Sequence, residues 1–122
     1  MPDDAISLRK IPKQVSVFEA EGAFFFGVAE ILKDILDTGN KGPKVLILRL
    51  RHVLVLDATG IRALHDLHQG CQKKGITLIL AGATGQPLSA LQKSDFWAKI
   101  SAANVTKNID QALERAEQIL AS

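Results

Sequence analysis

Cysteine is nearly missing from this sequence of 122 residues: Cys71 stands alone. No internal disulfide can form, and a reducing compartment is the simpler setting. Also missing is any unbroken run of the ~20 apolar residues that a membrane-spanning helix needs. The longest candidate, Val45 to Leu56, is interrupted by Arg49, Arg51 and His52. Met1-Pro2-Asp3-Asp4 has none of the basic-then-apolar pattern of a secretory signal. These absences predict a chain that is soluble as it stands, including as a piece of a membrane protein. Charge of one sign is scarce too. The formal net charge is +2 and the basic residues are scattered, which excludes the clustered field that nucleic acid requires. Internal repeats and low-complexity segments are absent.

What is present suits one domain with a real core. Hydrophobic residues make up 47% of the chain, enough to fold without staples. Charged residues make up 23%, close to the globular average, which argues against disorder. Residues 1–14, with Pro2 and Pro12, read as a linker or loosely docked arm, so the domain itself is expected over 15–122. Val15 to Glu19 alternates like a strand. A turn signal at Ala20-Glu21-Gly22 leads to a short second strand, Ala23 to Phe26, which predicts a hairpin. Val28, Ile31, Leu32, Ile35 and Leu36 form one helical stripe, stopped by the breakers from Thr38 to Pro43. Lys44 to Leu50 is a strand whose apolar centre predicts burial on both faces.

Ile61, Leu64, Leu67, His68 and Cys71 form a second helical stripe, ended by Lys73-Lys74-Gly75. Ile76 to Ala81 is another buried strand. Pro87 suits the opening of a short helix with Leu88 and Leu91 inward, and Phe96 and Trp97 close the core. The stretch from Ile100 to Val105 is compatible with a short edge strand. Asn108 caps a last helix with Gln111 as its capping-box partner; Ile109, Ala112, Leu113, Ala116, Ile119 and Leu120 are its apolar stripe. Strands alternating with helices predict an α/β domain with a mostly parallel sheet. Sites in such domains gather at the carboxyl ends of the strands.

Asp57-Ala58-Thr59-Gly60 lies at such an end. Asp57 or Thr59 can accept a hydrogen bond from the first helical turn. Gly60 permits close approach of a partner or a phosphate, and a helix N-terminus favours an anion. The spacing alone fits a plain helix cap, an anion cradle or a phosphorylation site. Asp57 would oppose the charge that phosphorylation adds, so the modification would change partner affinity rather than tighten the cap.

Asp57-Ala58-Thr59-Gly60, set between a buried strand and a helix, resembles the signature of STAS domains (sulfate transporter and anti-sigma factor antagonist). In the antagonists the hydroxyl residue before the glycine is phosphorylated by a partner kinase; by position it matches Thr59. Ile11-Pro12, Val15-Ser16-Val17 and Glu21 to Glu30, with its Phe24-Phe25-Phe26-Gly27 centre, are similar to the entry of the cytoplasmic STAS domain of SulP anion transporters. Arg49, Asn104-Val105, Ala112-Leu113 and Ala116 fit the same group. The resemblance runs from about Ile11 to Leu120. Asp95 and Ser101 depart from it, standing where glycine is common in the transporter group, so the exit of the third helix is expected to differ in shape.

The resemblance implies the STAS fold: a mostly parallel sheet of four or five strands with an N-terminal hairpin and about four helices. It implies a non-catalytic regulatory or interaction module at the cytoplasmic face of a secondary anion transporter of the sulfate, bicarbonate or dicarboxylate class. The alternative is a stand-alone anti-sigma factor antagonist switched by phosphorylation at Thr59. Implied partners are the transporter's membrane domain, a soluble regulator or a sister STAS domain; nucleotide is a weaker candidate. Asp57, Thr59 and Gly60 are the expected contact point.

Gly82-Ala83-Thr84-Gly85 also joins a strand to a helix. Gly82, Thr84 and Gly85 could cradle a nucleotide or meet a partner, although the spacing is neither that of a P-loop nor of a dinucleotide fingerprint. His65, His68 and Cys71 have helical metal-ligand spacing, but they border an apolar stripe and no second ligand cluster appears, so no metal and no cofactor is expected. Cys71 reads as a small buried hydrophobe rather than a nucleophile. Phe24 to Phe26 are assigned to the core, with an exposed docking strip as the alternative. Lys41, Lys44, Lys73 and Lys74 read as solvated loop charges, with contact to anionic lipid beside a membrane domain as the alternative. The chain has no base, nucleophile and oxyanion arrangement that would make it an enzyme.

Overall fold

The computed structural model describes residues 11–21, 33 and 42–122. The elements, in chain order, are β1 (Val15–Glu21), β2 (Val45–His52), α1 (Ala58–Lys73), β3 (Thr77–Ala81), α2 (Gly85–Lys93), α3 (Phe96–Ile100), a 3-10 turn (Ala102–Asn104), β4 (Val105–Thr106) and α4 (Ile109–Ala121). The sheet runs β1-β2-β3-β4, and every described pair is parallel. The α/β class with a parallel sheet and four described helices is as expected. The Ala23–Phe26 strand, its hairpin and the stripe from Val28 to Leu36 lie outside the described residues, apart from Lys33, which is helical and exposed. β1 extends two residues past Glu19, with a register shift between Glu19 and Glu21.

Period-two geometry sends successive side chains of a strand to opposite faces. Leu46, Leu48 and Leu50 of β2 join Leu78 and Leu80 of β3 in one cluster, closed by Leu64, Leu67 and Cys71 of α1, Leu91 of α2 and Phe96 and Ile100 of α3. Val45 and Ile47 join Ile79 and Ala81 on the other face, beneath Ile109, Ala112, Leu113 and Ala116 of α4. Helices on both faces are why the two central strands read as continuous apolar runs. Each fully buried leucine contributes roughly 1.5–3 kcal/mol, and Leu46, Leu48, Leu64, Leu67, Leu78, Leu80 and Leu91 are all in that state.

Local signals set the ends of the elements. At α4, Asn108 Oδ1 accepts from the Gln111 amide at 2.9 Å. The Gln111 side chain reaches back to the Lys107 amide at 3.1 Å, one residue before the usual capping-box position. β4 supplies the edge strand, two residues long and preceded by the 3-10 turn. α3 is a separate helix that no periodicity announced, since its five residues are too few for a stripe. Ser101 leaves α3 with φ 78°, alone among the described non-glycine residues in having a positive φ. The position where the resemblance leads one to expect glycine thus keeps a glycine-like backbone while carrying a side chain.

Candidate functional site

Parallel strands place the end of β2 and the end of β3 at the same edge of the sheet, and the starts of α1 and α2 follow there. Asp57 has extended backbone (φ −104°, ψ −175°) and its Oδ1 accepts from the Gly60 amide at 2.9 Å. The N-cap of α1 is therefore Asp57 and not Thr59. Thr59 lies in the first turn, exposed, with Gly60 buried behind it. Its hydroxyl is not used by the cap.

The second junction is built differently. Thr84 is the backbone N-cap of α2, yet its side chain makes no capping bond. Gly82 has φ +83°, which favours glycine, and a Cβ there would press on Arg51 Cβ at 3.3 Å. Its amide donates to the Thr106 carbonyl at 3.1 Å. Thr84 and Gly85 are exposed.

Gln86, which sequence reasoning did not single out, ties the two junctions together. Its Nε2 donates to the Leu56 carbonyl at 2.9 Å and its Oε1 accepts from the Leu56 amide at 2.7 Å. Leu56 is 1% exposed and anchors the loop just ahead of Asp57. The structure thus brings Asp57, Thr59 and Gly60 to the same edge as Gly82, Thr84 and Gly85. A glutamine one position into a helix carries no signal of a partner 30 residues away.

Leu54 and Val55 were also missed. They are 77% and 50% exposed, and they form an apolar tip immediately before Asp57. β2 runs two residues past the expected Leu50, to His52, and Leu54 and Val55 follow in the loop beyond it. Beyond the first turn of α1 runs a groove of about 380 Å³, with Ala58, Ile61, Arg62 and His65 on one wall and Asp95 and Lys99 on the other. Phe96 packs against His65 and meets His68 edge-on at 5.5 Å. Burial, and then the charges of His65 and Lys99, hold the His68 imidazole below its ordinary pKa.

Beside the loop, Arg51 hydrogen-bonds Glu19, and His52 Nε2 stands 3.4 Å from the same carboxylate. The Arg51 bond, opposed by burial and aided by Arg51, Arg49 and His52 charge, holds the Glu19 carboxyl below its ordinary pKa. Cys71 is fully buried, and desolvation pushes its thiol up to about 12, as an inert side chain requires. Among the described residues no cluster of three or more His, Cys, Asp or Glu could hold a metal, and no helix is long and apolar enough to cross a membrane.

The STAS domain profile matches residues 6–115, which is most of the chain. The chain belongs to the STAS domain family. Its curated relative "Putative sulfate transporter YvdB" of Bacillus subtilis (strain 168) is 30% identical over 87 residues, covering 70% of this chain and 16% of that protein. The chain thus matches less than a fifth of that relative's length. Two solved structures resemble this STAS domain along nearly its whole length. A sulfate transporter family protein from Wolinella succinogenes is 39% identical with a TM-score of 0.85, covering 98% of each chain. The SulP transporter STAS domain from Vibrio cholerae is 32% identical with a TM-score of 0.82, covering 93% of this chain and 89% of that one.

Proposed function

We propose that this STAS domain is a non-catalytic regulatory module at the cytoplasmic face of a SulP-type secondary anion transporter, of the sulfate, bicarbonate or dicarboxylate class. It acts by contact with the membrane domain of its parent, with a sister STAS domain or with a soluble regulator. Residues 1–14 lead into the domain formed by 15–122. The observation that carries the reading is the division of labour in the first turn of α1. Asp57 caps the helix, which leaves the Thr59 side chain exposed and outside the cap. Leu54 and Val55 beside it supply exposed apolar surface next to a readable hydroxyl. Thr84 and Gly85, exposed across the Gln86 bridge, belong to the same contact face.

The stand-alone anti-sigma antagonist reading uses the same exposed Thr59. The likeness to transporter STAS domains at 39% and 32% identity favours the transporter. A photo-crosslinker at position 59 of the parent protein tests it. Crosslinks from position 59 to the membrane domain, with none from exposed Glu117 on α4, are the expected result. A gene with no membrane spans upstream of Met1 would overturn the transporter reading.

A further inference from the structure

The opposite edge of the sheet carries a second feature. Lys44 precedes β2, while Lys73 and Lys74 end α1, and the fold brings all three to the rim of one cleft of about 500 Å³, completed by Gly42, Pro43 and Gly75. All three lysines are exposed, and none makes an ion pair with another described residue. Among the described residues no carboxylate lines the cleft. Nor are the ammonium groups needed to finish α1. The Lys74 and Ile76 amides donate to the Cys71 carbonyl at 3.0 and 2.8 Å, and the Gly75 amide, at φ +72°, donates to the Gln72 carbonyl at 3.1 Å. At the other edge, by contrast, Arg51 already spends its charge on Glu19.

The chain also enters the domain beside this cleft. The Val15 amide donates to the Pro12 carbonyl at 3.1 Å, and the Gln14 carbonyl accepts from both Lys44 and Val45, at 2.8 and 3.1 Å. The lysine rim therefore lies at the end of the sheet where β1 begins.

We propose that the cleft between Lys44 and Lys73-Lys74 is a contact surface for anionic phospholipid headgroups of the bilayer that carries the parent transporter. The proposal rests on the transporter reading for its geometry: an upstream membrane domain puts the entry edge next to the cytoplasmic leaflet. That leaflet carries negative surface potential, which attracts lysines within about a Debye length. Three ammonium groups around one concavity, with no ion-pair partner among the described residues, match phosphate oxygens, and the tether at Gln14 supplies the proximity that three charges alone lack.

The test uses the 122-residue chain labelled for amide NMR, at low salt, with phosphatidylcholine vesicles containing or lacking phosphatidylglycerol. Broadening centred on Lys44 and Lys73 to Gly75 with the anionic vesicles, and not with neutral ones, is expected. The double variant K73Q/K74Q should weaken vesicle affinity about 25-fold, at about fivefold per lysine. K93Q/K107Q, which removes the same charge from exposed sites elsewhere, should weaken it far less. Equal losses in both double variants, no binding to anionic vesicles, or the same occupancy by inorganic phosphate as by vesicles would each overturn the lipid contact. Because no membrane domain is used, these failures leave the Thr59 reading standing. A gene without upstream spans would remove the transporter while leaving a positive vesicle result in place.

Discussion

The two strand-to-helix junctions at the carboxyl edge solve one problem in opposite ways. The first spends a side chain: Asp57 caps α1, and a five-residue loop before Ala58 keeps Leu56 inside and Leu54 and Val55 outside. The second spends backbone: Gly82 turns with positive φ beneath Arg51, and Thr84 enters α2 with its hydroxyl uncommitted. The lesson is that a hydroxyl near a helix start is not thereby a cap. At both junctions the threonine is left over, and in both it is exposed.

If the second junction depends on backbone, its glycine is where the comparison breaks most violently. Gly82→Val combines a disfavoured φ with a tight approach to Arg51, and should cost about 3 kcal/mol; denaturant titration measures it. The bridge between the junctions comes next. Gln86→Ala removes both bonds to the buried Leu56 backbone and should cost about 2 kcal/mol. Amide hydrogen exchange should then quicken in residues 53–60 while the β3 amides stay protected. Smaller again is the cap itself. Asp57→Ala should cost about 1 kcal/mol, while Thr84→Ala stays within about 0.5 kcal/mol. Equal costs would erase the distinction between the junctions.

The smallest effect is a pH dependence behind the first junction. His68 has its pKa lowered by folding, so the unfolded chain binds its proton more readily and stability rises with pH across that window. The His68 contribution is intact above about 6.5 and is lost as pH falls from there toward the folded-state value. His68→Gln should flatten the stability profile between pH about 6.5 and the carboxylate range near 4.5. An unchanged slope would mean that the imidazole is not the group titrating.

Legibility followed range. The stripes of α1 and α4, the doubly buried centres of β2 and β3 and the Asn108 cap were plain in the sequence, because each depends on residues within a few positions of one another. Asp57 and Thr59 could be named as candidates, but which of them caps α1 could not be chosen, since both are chemically able to do so. The Gln86 bridge and the convergence of Lys44 with Lys73 and Lys74 depend on which strands lie side by side, and no local spacing encodes that. α3 was hidden by its length, and Ser101 showed only as a departure from an expected glycine, whose cost became visible in its φ.

The account turns on the side chain of residue 59 being free of the fold and read by a partner. Thr59→Glu addresses both halves at once, by the unfolding midpoint of the domain and by its affinity for the membrane domain of the proposed parent transporter. The account predicts a stability within about 0.5 kcal/mol of the original and an affinity changed about tenfold, the range of one strong charge-dependent contact. A domain that unfolds on this substitution, or one that binds the membrane domain with undiminished and unaltered affinity, would contradict it.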